Sequence, residues 1–107
     1  MPRWLPGILA RIRGLAADRR VLFTLKARRE LAALECGLDE RDACDVLASL
    51  KTGDSAGRLV SSATGEWLYV FKPRVGGTPV YVKVLLRNEC VVVSFHEDQG
   101  GAHEEDS

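Results

Sequence analysis

The chain has 107 residues, with 15 basic and 15 acidic side chains and 46% hydrophobic residues. This length favours one domain that buries its own core. The three cysteines, Cys36, Cys44 and Cys90, are an odd number without metal-binding spacing, which argues against both a secreted disulfide framework and a zinc site. The apolar stretch at residues 5–10 is too short to span a membrane and lacks a signal-peptide layout, so a cytoplasmic protein is expected.

Charge is divided unevenly along the chain. Residues 1–95 carry 15 basic and 10 acidic side chains, whereas the last twelve residues carry five acids and no Lys or Arg. A basic body is compatible with an anionic partner such as RNA, and equally with a solvated surface followed by a solubilising tail. Residues 99–107 (QGGAHEEDS) have the composition of a disordered acidic tail, which leaves residues 1–98 as the single expected domain.

Three helices are predicted in the first half. The first has apolar residues at helical spacing and a proline in its first turn: Leu5, Pro6, Ile8, Leu9, Ile12 and Leu15. A short strand at 21–24 precedes a second helix at 25–35. Asp39 is the predicted N-cap of a third helix, whose apolar stripe is Ala43, Val46, Leu47 and Leu50. We interpret these stripes as core contacts rather than cofactor contacts.

Strand periodicity begins after a polar loop at residues 52–57. Four strands are predicted at 58–62, 67–72, 79–86 and 90–95, with turns at residues 65, 76–77 and 88–89. The predicted fold class is α+β, in which N-terminal helices pack on an antiparallel sheet that ends in a C-terminal β-meander.

Alternation along these strands predicts two different faces of the sheet. The core face should hold the mostly apolar set Trp67, Tyr69, Phe71, Val80, Val82, Val84, Leu86, Val91, Val93 and Phe95. The opposite face should hold the polar set Lys72, Tyr81, Lys83, Arg87, Ser94 and His96, among the apolar residues Leu68, Val70, Leu85 and Val92.

The predicted turns fix which residues of neighbouring strands lie opposite each other. A two-residue turn at 88–89 gives the pairs Arg87–Cys90, Lys83–Ser94 and Tyr81–His96. A two-residue turn at 76–77 places Lys72 opposite Tyr81. One row would then run from Lys72 through Tyr81 to His96, with neighbouring Cβ atoms about 4.5–5.5 Å apart. A slip of one residue would destroy this row.

A cation, a phenol and an imidazole in one row suit cleavage of an RNA phosphodiester. If the 2′-OH attacks the adjacent phosphate, the reaction needs a base, an acid for the leaving 5′-oxygen and cations for the charge on phosphorus. Histidine can take either proton-transfer role near neutral pH, and lysine and arginine supply positive charge. Each residue alone is typical of sheet packing or solubility, but their placement together favours a functional site. No metal and no cofactor is expected, because the chain has no carboxylate cluster of the kind that binds Mg²⁺.

The same strands resemble the MqsR family of mRNA-interferase toxins. The resemblance is carried by WLYVFKP at residues 67–73, VYVKV at 80–84 and VVVSFHE at 91–97, and it extends in element order over residues 20–97. It implies a RelE-like fold and an endoribonuclease toxin that cleaves mRNA at short sequence motifs. It also implies a cognate antitoxin that neutralises the toxin, so that any DNA binding would come only through the antitoxin complex.

The resemblance further implies which residues act. The family's active-site tyrosine falls on Tyr81, and its late basic residue, often lysine, falls on His96. The nearest basic candidate for an earlier family lysine is Arg58, and the polar residue that follows the motif tryptophan is replaced by Leu68. The catalytic candidates are therefore Tyr81, His96, Lys83 and Arg58. The substrate-binding candidates are Lys72, Arg74, Ser94 and Arg87.

Two other hypotheses remain open. The chain could be a non-catalytic RNA-binding or regulatory module that keeps the toxin fold, or a protein-interaction subunit whose basic face binds an acidic protein. Alternating aromatic residues can form a platform on which RNA bases stack, but Trp67, Tyr69 and Phe71 fall on the predicted core face. Growth arrest on induction together with cleaved mRNA would separate the nuclease from both alternatives.

Overall fold

A computed structural model describes residues 1–98 of the chain, and the predicted acidic tail at 99–107 lies outside the described residues. The helices are α1 (Leu5–Ala17), α2 (Leu25–Ala33) and α3 (Glu40–Ala48). The strands are β1 (Val21–Phe23), β2 (Ser55–Val60), β3 (Trp67–Phe71), β4 (Arg74–Val75), β5 (Thr78–Leu86) and β6 (Cys90–Glu97). The predicted α+β class is confirmed, and the predicted helices are present. The strand predicted at 58–62 instead begins at Ser55, inside the predicted loop at 52–57, which also contains a short 3-10 helix at Thr52–Asp54.

Local sequence signals account for where the helices begin. Pro6 lies in the first turn of α1, where its missing N–H costs no helical hydrogen bond. Thr24 caps α2 by accepting a hydrogen bond from the Ala27 N–H at 3.1 Å. Asp39 and Asp42 form a reciprocal capping box at the start of α3, which confirms Asp39 as the N-cap. Length and composition rule out a membrane crossing for every helix in the described residues.

The main sheet is mixed but mostly antiparallel, with the order β1-β6-β5-β3-β2, and β4 pairs with β5 in a short hairpin. The predicted turn at residues 76–77 is confirmed, because Val75 pairs with Thr78. The parallel pair is β1 with β6, in which Val21 to Phe23 lie beside Cys90 to Val92. The sequence pattern did not predict this pair, since most of the chain separates its two strands. It places α2, which follows β1 directly, next to β6.

Helices and sheet enclose one hydrophobic core on one face of the sheet. The sheet contributes the buried residues Tyr69, Phe71, Val80, Val82, Val84, Cys90, Val92 and Phe95. Trp67, which was predicted to lie in this core, is 44% exposed, so that prediction is wrong. The helices contribute buried residues that include Leu5, Leu9, Ile12, Leu31 and Leu47. We call the opposite side of the sheet the outer face, which carries Lys72, Tyr81, Lys83, Leu85, Ser94 and His96.

The three cysteines are free thiols, as predicted, but only two of them are packed. Cys44 and Cys90 are buried, whereas Cys36 is exposed. Burial raises the pKa of the Cys90 thiol to about 12. That thiol therefore stays protonated at neutral pH and packs as a small apolar side chain.

The β5–β6 hairpin differs from its prediction at two points. Its loop has three residues rather than two, because Leu86 pairs with Cys90, so the predicted Arg87–Cys90 pair is wrong. Arg87 instead donates its N–H to the Glu89 carbonyl at 3.0 Å within the loop. A β-bulge then shifts the register by one residue, between the Val84–Val92 pair and the Lys83–Ser94 pair.

The bulge changes which residues of β6 point into the core. Val92 packs in the core, and the prediction that Val91 and Val93 lie there is wrong. Phe95 lies in the core as predicted, because the bulge restores its alternation. Since the longer loop and the bulge shift the register in opposite directions, the predicted Tyr81–His96 and Lys83–Ser94 pairs are both confirmed.

Candidate active site

Tyr81 and His96 form an aromatic pair on the outer face. They are direct partners across β5 and β6, and their rings stack with centroids 5.0 Å apart and an interplanar angle of 10°. Tyr81 is buried and His96 is half-buried. The His96 Nδ1–H donates to the Glu97 carbonyl at 2.9 Å, and because a carbonyl can only accept, the proton lies on Nδ1. Nε2 is therefore the ring nitrogen left to exchange a proton with a substrate.

Lys72 lies on the other side of Tyr81. The register of β3 with β5 pairs Phe71 with Val82, which brings Lys72 opposite Tyr81. The Lys72 Nζ lies 6.0 Å from the centroid of the Tyr81 ring and 3.8 Å from an Asp98 carboxylate oxygen. The predicted row from Lys72 through Tyr81 to His96 is therefore present. Asp98, which sequence reasoning did not include, offsets part of the lysine's charge.

Lys83 and Ser94 lie opposite each other, one step further along the outer face. Only 8% of Lys83 and 2% of Ser94 is exposed. Among residues 1–98, Lys83 forms no ion pair and its amine forms no hydrogen bond, whereas Ser94 is hydrogen-bonded to Lys26. Burial lowers the pKa of Lys83 below its ordinary value, the nearby Lys26 lowers it further, and Glu30 acts in the opposite direction.

Helix α2 contributes two polar side chains that sequence reasoning missed. The Lys26 Nζ donates to Ser94 Oγ at 2.8 Å and forms an ion pair with Glu30 at 2.8 Å. Glu30 also accepts the backbone N–H of Phe95 at 2.9 Å, beyond the part of β6 that β1 covers. The only signal in the sequence was the four-residue spacing of Lys26 and Glu30 on a helix. Their approach to Ser94 depends on the unpredicted pairing of β1 with β6.

Arg58 is not brought together with Tyr81. It lies opposite Tyr69 in the β2–β3 pair and therefore on the helix-covered face of the sheet. Its guanidinium stacks on two indoles, 3.7 Å from the ring centroid of Trp67 and 4.8 Å from that of Trp4. The aromatic contacts hold this arginine as a packing residue at the edge of the core.

Two further predicted residues, Arg74 and Arg87, form side-chain hydrogen bonds at the ends of hairpins. Arg74 is exposed in β4, next to the β4–β5 turn, and its guanidinium donates to the Gly77 carbonyl at 3.0 Å. Arg87 lies at the opposite end of β5 and binds both carboxylate oxygens of Glu66, at 2.7 and 3.0 Å. This bidentate contact holds the pKa of Glu66 at about 2.

The chemistry available on the outer face follows from these side chains. A histidine with a fixed tautomer can move a proton, the adjacent phenol can donate a hydrogen bond, and the lysines supply positive charge. No group of three or more His, Cys, Asp or Glu side chains within residues 1–98 is placed to hold a metal ion. The imidazole, the phenol and the lysine amines are groups that can transfer protons and bind an anion.

Helices on one face of the sheet and a basic, aromatic cluster on the other define a small α+β domain suited to a polyanion. Residues 8–97 match the model of the family described as "Motility quorum-sensing regulator, toxin of MqsA". The chain belongs to this family, which confirms the resemblance seen in its sequence. It is therefore a toxin of the toxin–antitoxin type, with an antitoxin as its partner. A comparison with curated proteins finds no match.

Proposed function

We propose that this toxin is an endoribonuclease, an mRNA interferase that cleaves mRNA by attack of the 2′-OH without a metal ion. The observation that carries the proposal is the stacked Tyr81–His96 pair on the outer face, with Lys72 beside it. Family membership supports the role of toxin, and the side chains of this cluster support phosphodiester chemistry.

In the proposed reaction the 2′-OH gives up its proton to solvent water and its oxygen bonds to phosphorus, while the bond from phosphorus to the 5′-oxygen breaks. His96 protonates the leaving 5′-oxygen from Nε2, the nitrogen that its contact with Glu97 leaves available. Tyr81 orients the phosphate or assists the proton transfer. Lys72 and Lys83 bind RNA phosphates and offset negative charge. The products would be a 2′,3′-cyclic phosphate and a 5′-OH.

Not every candidate from the sequence keeps its place in this proposal. Ser94 and Arg74 remain proposed substrate contacts, Ser94 because it lies beside Lys83 and Arg74 because it is exposed close to Lys72 in sequence. We leave Arg58 out because its guanidinium stacks on the rings of Trp4 and Trp67 on the other face of the sheet. We also leave out Arg87, whose guanidinium is occupied by Glu66.

The cellular setting of the proposal follows from its substrate. We propose that the toxin acts in the cytoplasm, where mRNA is translated, and that its antitoxin inhibits the cleavage. The family description supports the antitoxin as partner.

The proposal is tested by inducing the wild-type chain and the His96→Ala variant in a bacterial host. Wild type should arrest growth and produce new mRNA ends, and the variant should do neither at equal protein level. If both arrest growth equally without cleaved mRNA, the chain acts as a binding module rather than as a nuclease.

A further inference from the structure

Lys83 on the outer face is largely buried as a residue, yet within residues 1–98 it has no counter-ion of its own. Because every fully buried side-chain nitrogen in this part of the chain has a hydrogen-bond partner, the unpartnered Lys83 amine keeps access to solvent and hence to a ligand. Lys83 is 8% exposed, and neither an ion pair nor a side-chain hydrogen bond is found for it within residues 1–98. Burying an ammonium group without a partner is costly, so buried charges are normally paired. An anionic ligand that reaches this amine would remove that cost.

The side chains next to Lys83 point to the same ligand chemistry. Ser94 lies directly across from Lys83, and its hydroxyl accepts a hydrogen bond from the Lys26 amine while keeping its own O–H to donate. Lys26 has three N–H donors, of which Glu30 and Ser94 take two, so one is left. Two amines and a hydroxyl thus offer donors around one point on the sheet.

Glu30 holds this arrangement in place. One carboxylate oxygen binds the Lys26 amine and the other accepts the backbone N–H of Phe95, so α2 is fastened to β6 beside Ser94. Two lysines against one carboxylate leave an excess of positive charge that suits a singly charged phosphodiester. Glu30 is therefore a positioning residue, which acts on the ligand only through Lys26.

We propose that Lys26, Lys83 and Ser94 form a phosphate-binding subsite, separate from the Tyr81–His96 pair, that holds the phosphodiester next to the one that is cut. Lys83 and Tyr81 are two residues apart on β5, which separates their Cα atoms by about 6–7 Å along the strand. An extended RNA strand that presents one phosphate to Tyr81 can therefore present the next to Lys83. The identification of the ligand as RNA rests on the proposed function, whereas phosphate binding does not.

The first test uses inorganic phosphate, titrated into the full chain at constant ionic strength and followed by the ¹H–¹⁵N shifts of the Ser94 and Phe95 amides. Wild type should give saturable shifts, and Lys26→Gln and Lys83→Gln should each weaken the binding by about tenfold or more, as expected for the loss of a charged hydrogen bond. Arg41→Gln, which removes an exposed cation from α3, is the control and should bind as wild type does. Equal affinity in wild type and Lys26→Gln would overturn the subsite, and since Lys26 is mostly exposed, that variant is expected to fold.

The second test measures the affinity for a 2′-O-methyl RNA oligomer, which cannot be cut by 2′-OH attack, at several salt concentrations. Each lost phosphate contact should reduce the salt slope by about 0.7. Lys26→Gln and Lys83→Gln should both show a reduced slope, and Arg41→Gln should not. Unchanged slopes in both lysine variants would contradict the subsite.

The two proposals fail in different ways. If RNA is never cut but phosphate binding depends on Lys26 and Lys83, the nuclease proposal fails and the subsite stands. If RNA cleavage depends on His96 but phosphate binding depends on neither lysine, the subsite proposal fails and the nuclease proposal stands.

Discussion

The imidazole of His96 stacks on the phenol of Tyr81, with ring centroids 5.0 Å apart and planes 10° apart. The ring is also held at one end by the hydrogen bond from Nδ1 to the Glu97 carbonyl. Two independent contacts therefore fix the plane and the tautomer of His96 before any substrate binds. Such preorganisation is what a proton donor requires if it is to act without a reorientation step.

His96→Ala should lower kcat on RNA by about 10²–10⁴, the usual range for the loss of a general acid or base. The folded state should change little, because His96 is only half-buried near the end of β6. The measurement is single-turnover cleavage of a labelled RNA, with the melting temperature as the control for folding. A fall of less than tenfold would remove His96 from the chemistry.

His96→Lys separates charge from proton transfer at the same position. If His96 donates the proton, the lysine variant should be nearly as impaired as alanine, because its amine holds its proton too tightly near neutral pH. If the variant keeps most of the activity, positive charge is what matters and the proton-transfer role is wrong. Tyr81→Phe should cost less than His96→Ala if the ring only positions the phosphate, and about as much if its hydroxyl carries a proton.

Strand alternation predicted the residues of the outer face more accurately than it predicted the loop and register of the β5–β6 hairpin. Strand alternation gave the Tyr81–His96 pair, but from a two-residue loop that the chain does not have. The three-residue loop and the bulge cancel, so the register is the predicted one beyond the bulge and one residue off before it. Bulges depend on cross-strand packing, and nothing in the alternation of an all-apolar run such as residues 91–93 marks which residue is extra.

Long-range placement was harder to predict than local structure. The contact of Lys26 with Ser94 depends on the parallel pairing of two strands far apart in sequence. Arg58 shows the opposite case, since it was selected as the nearest cation in the sequence and lies on the other face. Two indole rings are better partners for its guanidinium than solvent, and a bulge in β2 sets its register.

Arg58→Gln should therefore affect stability rather than chemistry. Losing two cation–π contacts, each worth about 0.5–1 kcal/mol at an exposed site, should lower the free energy of unfolding by about 1–2 kcal/mol. Urea unfolding checks the stability, and cleavage of RNA by the folded variant should proceed at the wild-type kcat. A large loss of kcat in a variant of normal stability would return Arg58 to the active site.

Lys83→Met should change how stability depends on alkaline pH. Burial lowers the pKa of Lys83 below its ordinary 10.5. At pH values between this lowered pKa and 10.5, the unfolded chain therefore binds more protons than the folded chain. The charged Lys83 amine thus reduces the free energy of unfolding of the wild type at neutral pH, and this free energy rises as the pH approaches 10.5. The advantage of the methionine variant should accordingly be largest near pH 7 and shrink with rising pH.

Urea unfolding of both proteins at pH 7, 8.5 and 10 measures that difference. The thiol of Cys90, whose pKa is raised to about 12, acts in the opposite direction above pH 9, but it does so equally in both proteins. A difference that stays constant with pH would mean that Lys83 is not perturbed by its burial.

Glu66→Gln should change stability in acid. The contact with Arg87 holds the pKa of Glu66 at about 2 instead of 4.5, so the unfolded chain binds more protons between these values. The stabilisation is therefore complete above pH 4.5 and is lost as the pH falls towards 2. The melting temperature of wild type should exceed that of the variant at pH 6, and the gap should close by about pH 2. A gap that does not depend on pH would contradict this assignment.

The chemical nature of the cut ends tests the nuclease mechanism most directly. Purified toxin is incubated with RNA in excess EDTA, and the ends of the products are identified by their reaction with polynucleotide kinase and phosphatase. We expect cleavage to continue in EDTA and to leave 2′,3′-cyclic phosphate and 5′-OH ends, with none formed by His96→Ala. Cleavage that stops in EDTA and returns with Mg²⁺, or products with 5′-phosphate ends, would contradict the proposed mechanism.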